Sequence, residues 1–241
     1  GKYVKLHDAY LSVAEALNHA GYEQNTFVKI HWIDSETVTK ENKNKVLEKL
    51  DGIIVPGGFG NRGIEGMILT ADYARENQIP YLGICLGMQI AVIEFARHVL
   101  KMQDANSREF EEQCAHTVID FMPGQSDEIN KGGTLRLGSY PCCVKTGTIL
   151  EACYNKQLIY ERHRHRYEFN NEYREKLTEA GLLISGTSPD NRLVEAVELQ
   201  EHPFFVGVQF HPEFKSRPNR SHPLFRGFIS AALKKAKRKE E

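Results

Sequence analysis

Residues 83–87, Gly-Ile-Cys-Leu-Gly, leave the chain few ways to fold. The preceding Ile79-Pro80-Tyr81-Leu82 reads as a buried strand, and the following Met88 to Ala96 reads as a helix with a broad apolar face. Cys85 therefore falls on the turn between them, with a small residue two positions before it and another two positions after. Such a turn bends sharply and pushes its central side chain outward, as a nucleophile elbow does. At the start of a helix the sulfur also feels unpaired backbone N–H groups and the positive end of the macrodipole, both of which favour a thiolate. A lone cysteine more often packs as a small hydrophobe, so the assignment depends on partners elsewhere in the chain.

Strand and helix signals alternate through the first hundred residues. Asp8 to Ala20 carries a helical stripe closed by Gly21, Phe27 to Ile33 reads as a strand, and Lys40 to Leu50 reads as a polar helix. Asp51 to Val55 is a short buried strand leading into Pro56-Gly57-Gly58-Phe59-Gly60, and Arg62 to Asn77 is another helix. This order predicts right-handed crossovers, an α/β fold with a mostly parallel central sheet flanked by helices, and ligands at the carboxyl ends of the strands. Pro123-Gly124-Gln125-Ser126-Asp127 has the composition of an exposed loop. Cys142–Ile149, Leu182–Gly186, Leu193–Leu199 and Phe204–Phe210 read as shorter strands, taken as antiparallel additions. Leu224 to Leu233 reads as a helix, and the mixed basic run from Lys234 as a solvated, frayed end.

Bulk composition mainly excludes. With 31 Lys+Arg against 32 Asp+Glu the formal net charge is -1, which points neither to nucleic acid nor to an acidic partner. The length suits one domain spanning 1–241. The longest apolar stretch, Ile79 to Ala96, is interrupted by glycines, Gln89 and Glu94, so no membrane span is expected. Five cysteines and no signal-peptide pattern suggest a reducing, cytoplasmic setting, and none of the cysteines has zinc-ligand spacing, so no metal is expected.

A nucleophilic cysteine needs a base, and the base needs a carboxylate to orient it. Val206 to Phe210 is an apolar strand running straight into His211-Pro212-Glu213. If that tripeptide is extended, residues two apart share a side, and Glu213 braces the imidazole of His211. The glycine loop at 56–60 follows a buried strand and lets backbone N–H groups approach a reacting centre; Gly58 and Leu86, the residue after the nucleophile, are the candidate oxyanion donors. A glycine loop after a strand can also cradle phosphate, but no Gly-Lys-Ser/Thr follows this one.

Glycine loop, Gly-x-Cys-x-Gly elbow and late His-Pro-Glu, in that order, resemble the class I (triad) glutamine amidotransferases, whose fold is flavodoxin-like. Further stretches narrow the likeness: Gly1-Lys2-Tyr3-Val4, Asp8-Ala9-Tyr10-Leu11-Ser12-Val13, Gln103-Asp104-Ala105-Asn106-Ser107, Gly132 to Gly138 and, above all, Glu161-Arg162-His163-Arg164-His165-Arg166-Tyr167-Glu168. These are similar to the glutaminase domains of the CTP synthase family. Read without that likeness, Arg162 to Arg166 is only a basic patch, a solvated loop or an anion site. The resemblance implies L-glutamine as substrate, Arg166 on its α-carboxylate and Glu109 on its α-ammonium group, with Gly58, Phe59, Leu86, Gly87, Met88 and Gln89 completing the pocket. It also implies an N-terminal synthetase domain, outside this chain, that binds ATP, Mg and UTP and passes ammonia on to make CTP, in a homo-tetramer. GTP would act as activator beside Arg62. In that family the first strand begins before the position of Gly1. The alternatives are the glutaminase of another amidotransferase, such as GMP synthase or carbamoyl phosphate synthase, a γ-glutamyl peptidase, or a catalytically silent regulatory module.

Overall fold

A computed structural model describes residues 1–122 and 135–240. The stretch read as an exposed loop, Pro123 to Asp127, and the region around Ser126 to Asn130 lie outside the described residues.

A 3-10 turn, His7–Tyr10, leads into α1 (Leu11–Glu23), which runs past the expected stop at Gly21. The helix ends where Asn25 takes a left-handed φ of 51° and the Thr26 N–H returns to the Gly21 carbonyl at 3.0 Å. The polar helix is shorter than its sequence pattern, α2 (Lys43–Leu47). Then come β1 (Ile53–Val55), α3 (Ile64–Glu76), β2 (Tyr81–Ile84) and α4 (Leu86–His98). Next are β3 (Asn106–Ser107), β4 (Thr117–Phe121), β5 (Arg136–Val144), α5 (Ile149–Tyr154), β6 (Leu158–His165) and β7 (Tyr167–Phe169). The chain finishes with α6 (Arg174–Glu179), β8 (Leu183–Thr187), β9 (Val194–Glu198), β10 (Phe205–Val208) and α7 (Pro223–Glu240).

Seven strands form the central sheet in the order β1-β2-β10-β9-β8-β5-β6. Its parallel part is β1, β2 and β10, with Ile53 opposite Tyr81 and Val206 opposite Leu82. The remaining pairs are antiparallel. β10, read from sequence as an antiparallel addition, is therefore a parallel neighbour of β2 and antiparallel only to β9. An apolar run by itself does not state its direction; the crossover does. A second sheet, β3-β4-β7, lies beside α4.

Alternate side chains of the parallel strands feed two cores. Tyr81 and Phe205 pack with Met67, Ala71, Ile90 and Phe95 of α3 and α4, while Leu82 and Val206 pack with residues of α1, α5 and α7 such as Ala16, Leu150 and Phe225. Every residue from Leu86 to Ala96 is buried, which is why α4 is apolar almost all round.

Residues 27–33 are extended but form no strand. Val28, Ile30 and Trp32 turn half-buried into an apolar cleft of about 390 Å³, across which lie Ile53, Val55 and Phe228. A strand requires a neighbour to ladder with, and no described strand is hydrogen-bonded to this segment. The basic run from Lys234 also differs from expectation: it forms the last turns of α7, with Lys239 Nζ 2.9 Å from Asp51 Oδ1. None of the described helices is long and apolar enough to cross a membrane.

Three connections leave the carboxyl ends of the parallel strands side by side: 56–60 after β1, Cys85 after β2 and His211 just beyond β10. This is where a parallel sheet places its ligand sites.

Candidate active site

Cys85 has φ 53° and ψ -101°, a conformation that costs a non-glycine residue of the order of 1–3 kcal/mol. The surrounding packing enforces it. A Cβ on Gly87 would lie 2.0 Å from the Val55 carbonyl oxygen, and one on Gly83 would lie 2.5 Å from the Gly87 backbone, so strand and helix approach too closely for any side chain at either position. The Cys85 N–H donates to Val208 O at 2.7 Å, and the Tyr81 hydroxyl donates to Gly87 O at 2.8 Å. The elbow is thus bonded to β10 and to β2's own first residue.

His211 follows, but not in the extended form expected. Pro212–Lys215 is a 3-10 turn, with proline at its first position, and this turn brings Glu213 back so that its Oε1 lies 2.7 Å from His211 Nδ1. The His211 N–H donates to Arg162 O at 2.8 Å, and the Phe214 ring stacks on the imidazole with centroids 5.4 Å apart. Nε2, the other ring nitrogen, is buried and within electrostatic reach of the Cys85 sulfur. Burial would lower the His211 pKa, but Cys85 and Glu213 together outweigh it and raise it from 6.5 to about 10. The imidazolium is therefore the favoured form of His211 beside the Cys85 sulfur.

The glycine loop closes the third side. A Cβ on Gly57 would lie 3.0 Å from His211 Cε1 and 3.7 Å from Cys85 Cβ, and one on Gly58 would lie 3.2 Å from Leu86 Cδ2. Among the described residues no hydrogen bond engages the Gly58 or Leu86 N–H, so both remain available as oxyanion donors. The loop is held from below by Lys2, whose Nζ donates to the carbonyls of Phe59 (2.9 Å) and Gly60. Tyr3 Oη accepts the Phe59 N–H at 3.1 Å, and Glu109 Oε1 accepts the Gly60 N–H at 2.7 Å. Burial lowers the Lys2 pKa from 10.5 to about 8, against the pull of Glu109. Arg62, at the far end of the loop, is exposed and pairs with Glu36 at 2.7 Å.

The remaining sequence candidates also converge. Arg166 acts electrostatically on Glu109, whose carboxyl is raised by burial despite the Gly60 N–H, Lys2 and Arg166. Phe59 is half-exposed, with the Arg164 guanidinium 5.9 Å from its ring centre. Gln89 is buried; its Nε2 donates to Tyr167 O (2.9 Å) and to Gln209 Oε1 (3.2 Å), leaving Oε1 as the atom that can face a substrate. The Met88 side chain packs against Gly207, so only its backbone borders the elbow.

The basic patch at 162–166 is largely strand. In β6 Arg162 and Arg164 face solvent while Glu161, His163 and His165 are buried, and the Arg164 carbonyl lies 3.9 Å from Cys85 Sγ. Beneath it, Arg136 Nη1 lies 2.6 Å from Glu195 Oε1, and His163 Nδ1 lies 3.1 Å from His165 Nε2. Burial, reinforced by Arg136, lowers His163 to about 2 and His165 to about 3, so both are neutral. Burial raises Glu195 to about 7, against Arg136. The sequence reading found neither this layer nor Lys2 and Gln209. Only the period-two alternation of 161–165 could have signalled the histidines as inward-facing.

Among the described residues one trio has metal-ligand spacing, Asp72, Glu94 and His98. It surrounds Arg75, which bonds Glu94 at 3.0 Å and Asp72 at 3.3 Å, and it sits at the opposite end of α4 from Cys85. That is an ion-pair network with its cation already supplied.

Comparison with known proteins agrees with this geometry. The family described as glutamine amidotransferase class-I matches residues 5–231. A CTP synthase of Carboxydothermus hydrogenoformans is 65% identical over 234 residues, and one of Clostridium kluyveri is 60% identical over 233. Each match takes in 97% of this chain but only 44% and 43% of the relative, so the chain spans less than half the length of these curated relatives. Among solved structures, the glutaminase domain of Trypanosoma brucei CTPS with bound acivicin superposes with a TM-score of 0.92 at 40% identity, covering 97% of this chain and 92% of that one.

Proposed function

The chain belongs to the class-I glutamine amidotransferases, and from that premise we propose that it is the glutamine-hydrolysing part of a CTP synthase, working through Cys85, His211 and Glu213. The observation that carries the reading is the placement of His211, with Glu213 at 2.7 Å on one nitrogen and the strained Cys85 elbow facing the other.

The thiolate of Cys85 attacks the side-chain amide carbon of glutamine. Charge that develops on the oxygen meets the N–H groups of Gly58 and Leu86, each worth roughly 3 kcal/mol in comparable sites. His211, held by Glu213, gives its proton to the departing ammonia. It then takes a proton from water, whose hydroxide splits the γ-glutamyl thioester to glutamate and releases Cys85 as the thiolate beside the re-protonated imidazole. Arg166 and Glu109 supply the charges for the two ends of the amino acid, and Gln89 Oε1 and Phe59 border the side-chain path. In the complete enzyme the ammonia reacts with UTP activated by ATP and Mg on a synthetase domain, with GTP as activator at the loop carrying Arg62 and a homo-tetrameric assembly. The experiment is direct: glutamate and ammonia are measured from glutamine for the wild type and for Cys85→Ala. Turnover in the first and none in the second supports the reading. Equal turnover overturns it, as does labelling by a reactive glutamine analogue of a cysteine other than Cys85.

A further inference from the structure

We infer that Gln209 is a further catalytic residue: its side-chain amide donates a hydrogen bond to the Cys85 sulfur and holds the nucleophile as an oriented thiolate. The inference rests on the reading of Cys85 as nucleophile. Gln209 Nε2 lies 3.6 Å from Cys85 Sγ, and the residue is fully buried, so no water competes for the contact. An amide can present either its nitrogen or its oxygen, and here the surroundings decide which. A backbone carbonyl only accepts, so the Tyr167 carbonyl at 2.9 Å requires the nitrogen of Gln89. That same nitrogen donates to Gln209 Oε1 at 3.2 Å, which turns the Gln209 nitrogen toward the sulfur. The chain of donors runs in one direction, from a carbonyl that cannot reverse it to the reacting atom.

A neutral thiol has little use for such a donor. It can give its own hydrogen to Arg164 O, 3.9 Å away. A thiolate accepts only, and a hydrogen bond to an ionised acceptor is about twice as strong as one between neutral groups. Gln209 thus interacts more strongly with the form that attacks. It does so with a donor that does not titrate, unlike His211, which must surrender its proton to ammonia. The titratable groups around the sulfur are His211 and Glu213 beyond β10, the neutral His163 and His165 under β6, and Lys2 and Glu109 at the glycine loop. Of these only His211 shares a side-chain hydrogen bond with Cys85, and it is the group whose proton leaves with ammonia.

The test is the pH dependence with which iodoacetamide alkylates Cys85 in the full chain, followed on the Cys85 peptide by mass spectrometry. This reads the thiolate without requiring glutamine to bind or turn over. Gln209→Met keeps the size and removes the donor, and its alkylation midpoint should rise by about one pH unit, a tenfold change in the ionisation equilibrium. Gln209→Glu places a carboxylate against the sulfur and should raise it further. Gln89→Met leaves residue 209 untouched but frees its amide to turn, and should give a smaller rise in the same direction. A buried substitution can loosen the fold, so circular dichroism and urea midpoints accompany each variant; Gln89→Met reads the same effect without touching residue 209. Folded variants with the wild-type midpoint overturn the inference. Failure of the wild type to hydrolyse glutamine overturns the proposed function instead, and leaves the alkylation profile to decide the role of Gln209.

Discussion

At the scale of single residues, two side chains have their chemistry set by partners that can be removed. Glu213→Gln should lower the His211 pKa, because one of the two groups that raise it to about 10 loses its charge while burial still depresses it. The sign for stability follows. A histidine raised in the folded state adds stability that is complete below 6.5 and lost as pH rises through about 10. In Glu213→Gln the loss should still begin near 6.5 but be smaller and complete at a lower pH, seen in urea midpoints across that range and in the imidazole titration by NMR. Glutamine hydrolysis should fall by about 10²–10⁴, since the imidazole loses the group that orients it. Arg166→Ala should raise KM for glutamine about 10- to 100-fold while kcat and the melting temperature move far less, the loss of charge-assisted bonds to a carboxylate. An unchanged KM would remove Arg166 from the pocket.

At the scale of elements, the elbow and the strand beneath it are held by contacts that tolerate little change. Gly87→Ala drives a Cβ to 2.0 Å from Val55 O, between a strand and a helix that are both fully packed. It should destabilise by about 3 kcal/mol or more and abolish activity, because separating α4 from β1 also moves Leu86 away from Gly58. In β5 and β9, Arg136→Met leaves Glu195 buried without its cation. The expected loss is about 3–5 kcal/mol in chemical denaturation at neutral pH. The loss should shrink as pH falls from 7 to below 4.5, where Glu195 is protonated in both folded and unfolded states. A pH-independent loss would mean that Arg136 acts through packing alone.

At the scale of the molecule, the glycine loop is held by side chains from several distant parts of the chain. Its carbonyls are held by Lys2, its N–H groups by Tyr3 and Glu109, and its end by Arg62 paired with exposed Glu36. A domain joined to this face can reset the angle at which Gly58 presents its N–H. The isolated chain should therefore be a slow glutaminase whose rate rises when the rest of the enzyme is present. In a full-length enzyme, Arg62→Ala should lose GTP stimulation of glutamine-dependent CTP formation and keep synthesis from free ammonia, which bypasses Cys85. Equal loss of both would place Arg62 in folding or in the synthetase site.

What the sequence by itself determined is the part of the candidate site that local backbone geometry decides. The Cys85 elbow depends on Gly83 and Gly87, the loop beside it on the glycines after β1, and the brace of His211 on a carboxylate two residues away; each lies within a span of a few residues. The tertiary structure decided everything that depends on a distant partner. Residues 27–33 alternate like a strand but pair with none of the described strands, and β10 runs parallel to β2 for reasons its own apolar run does not contain. The residues Arg162 to His165, a basic patch in sequence, close β6 because β5 pairs with them, Arg136 facing His165. Gln209 reaches Cys85 across 124 residues of chain, and Glu198 caps α5 across 48 and 49. A buried polar side chain is specified by whatever donor or acceptor the fold carries to it, and that identity exists only once the sheet has assembled.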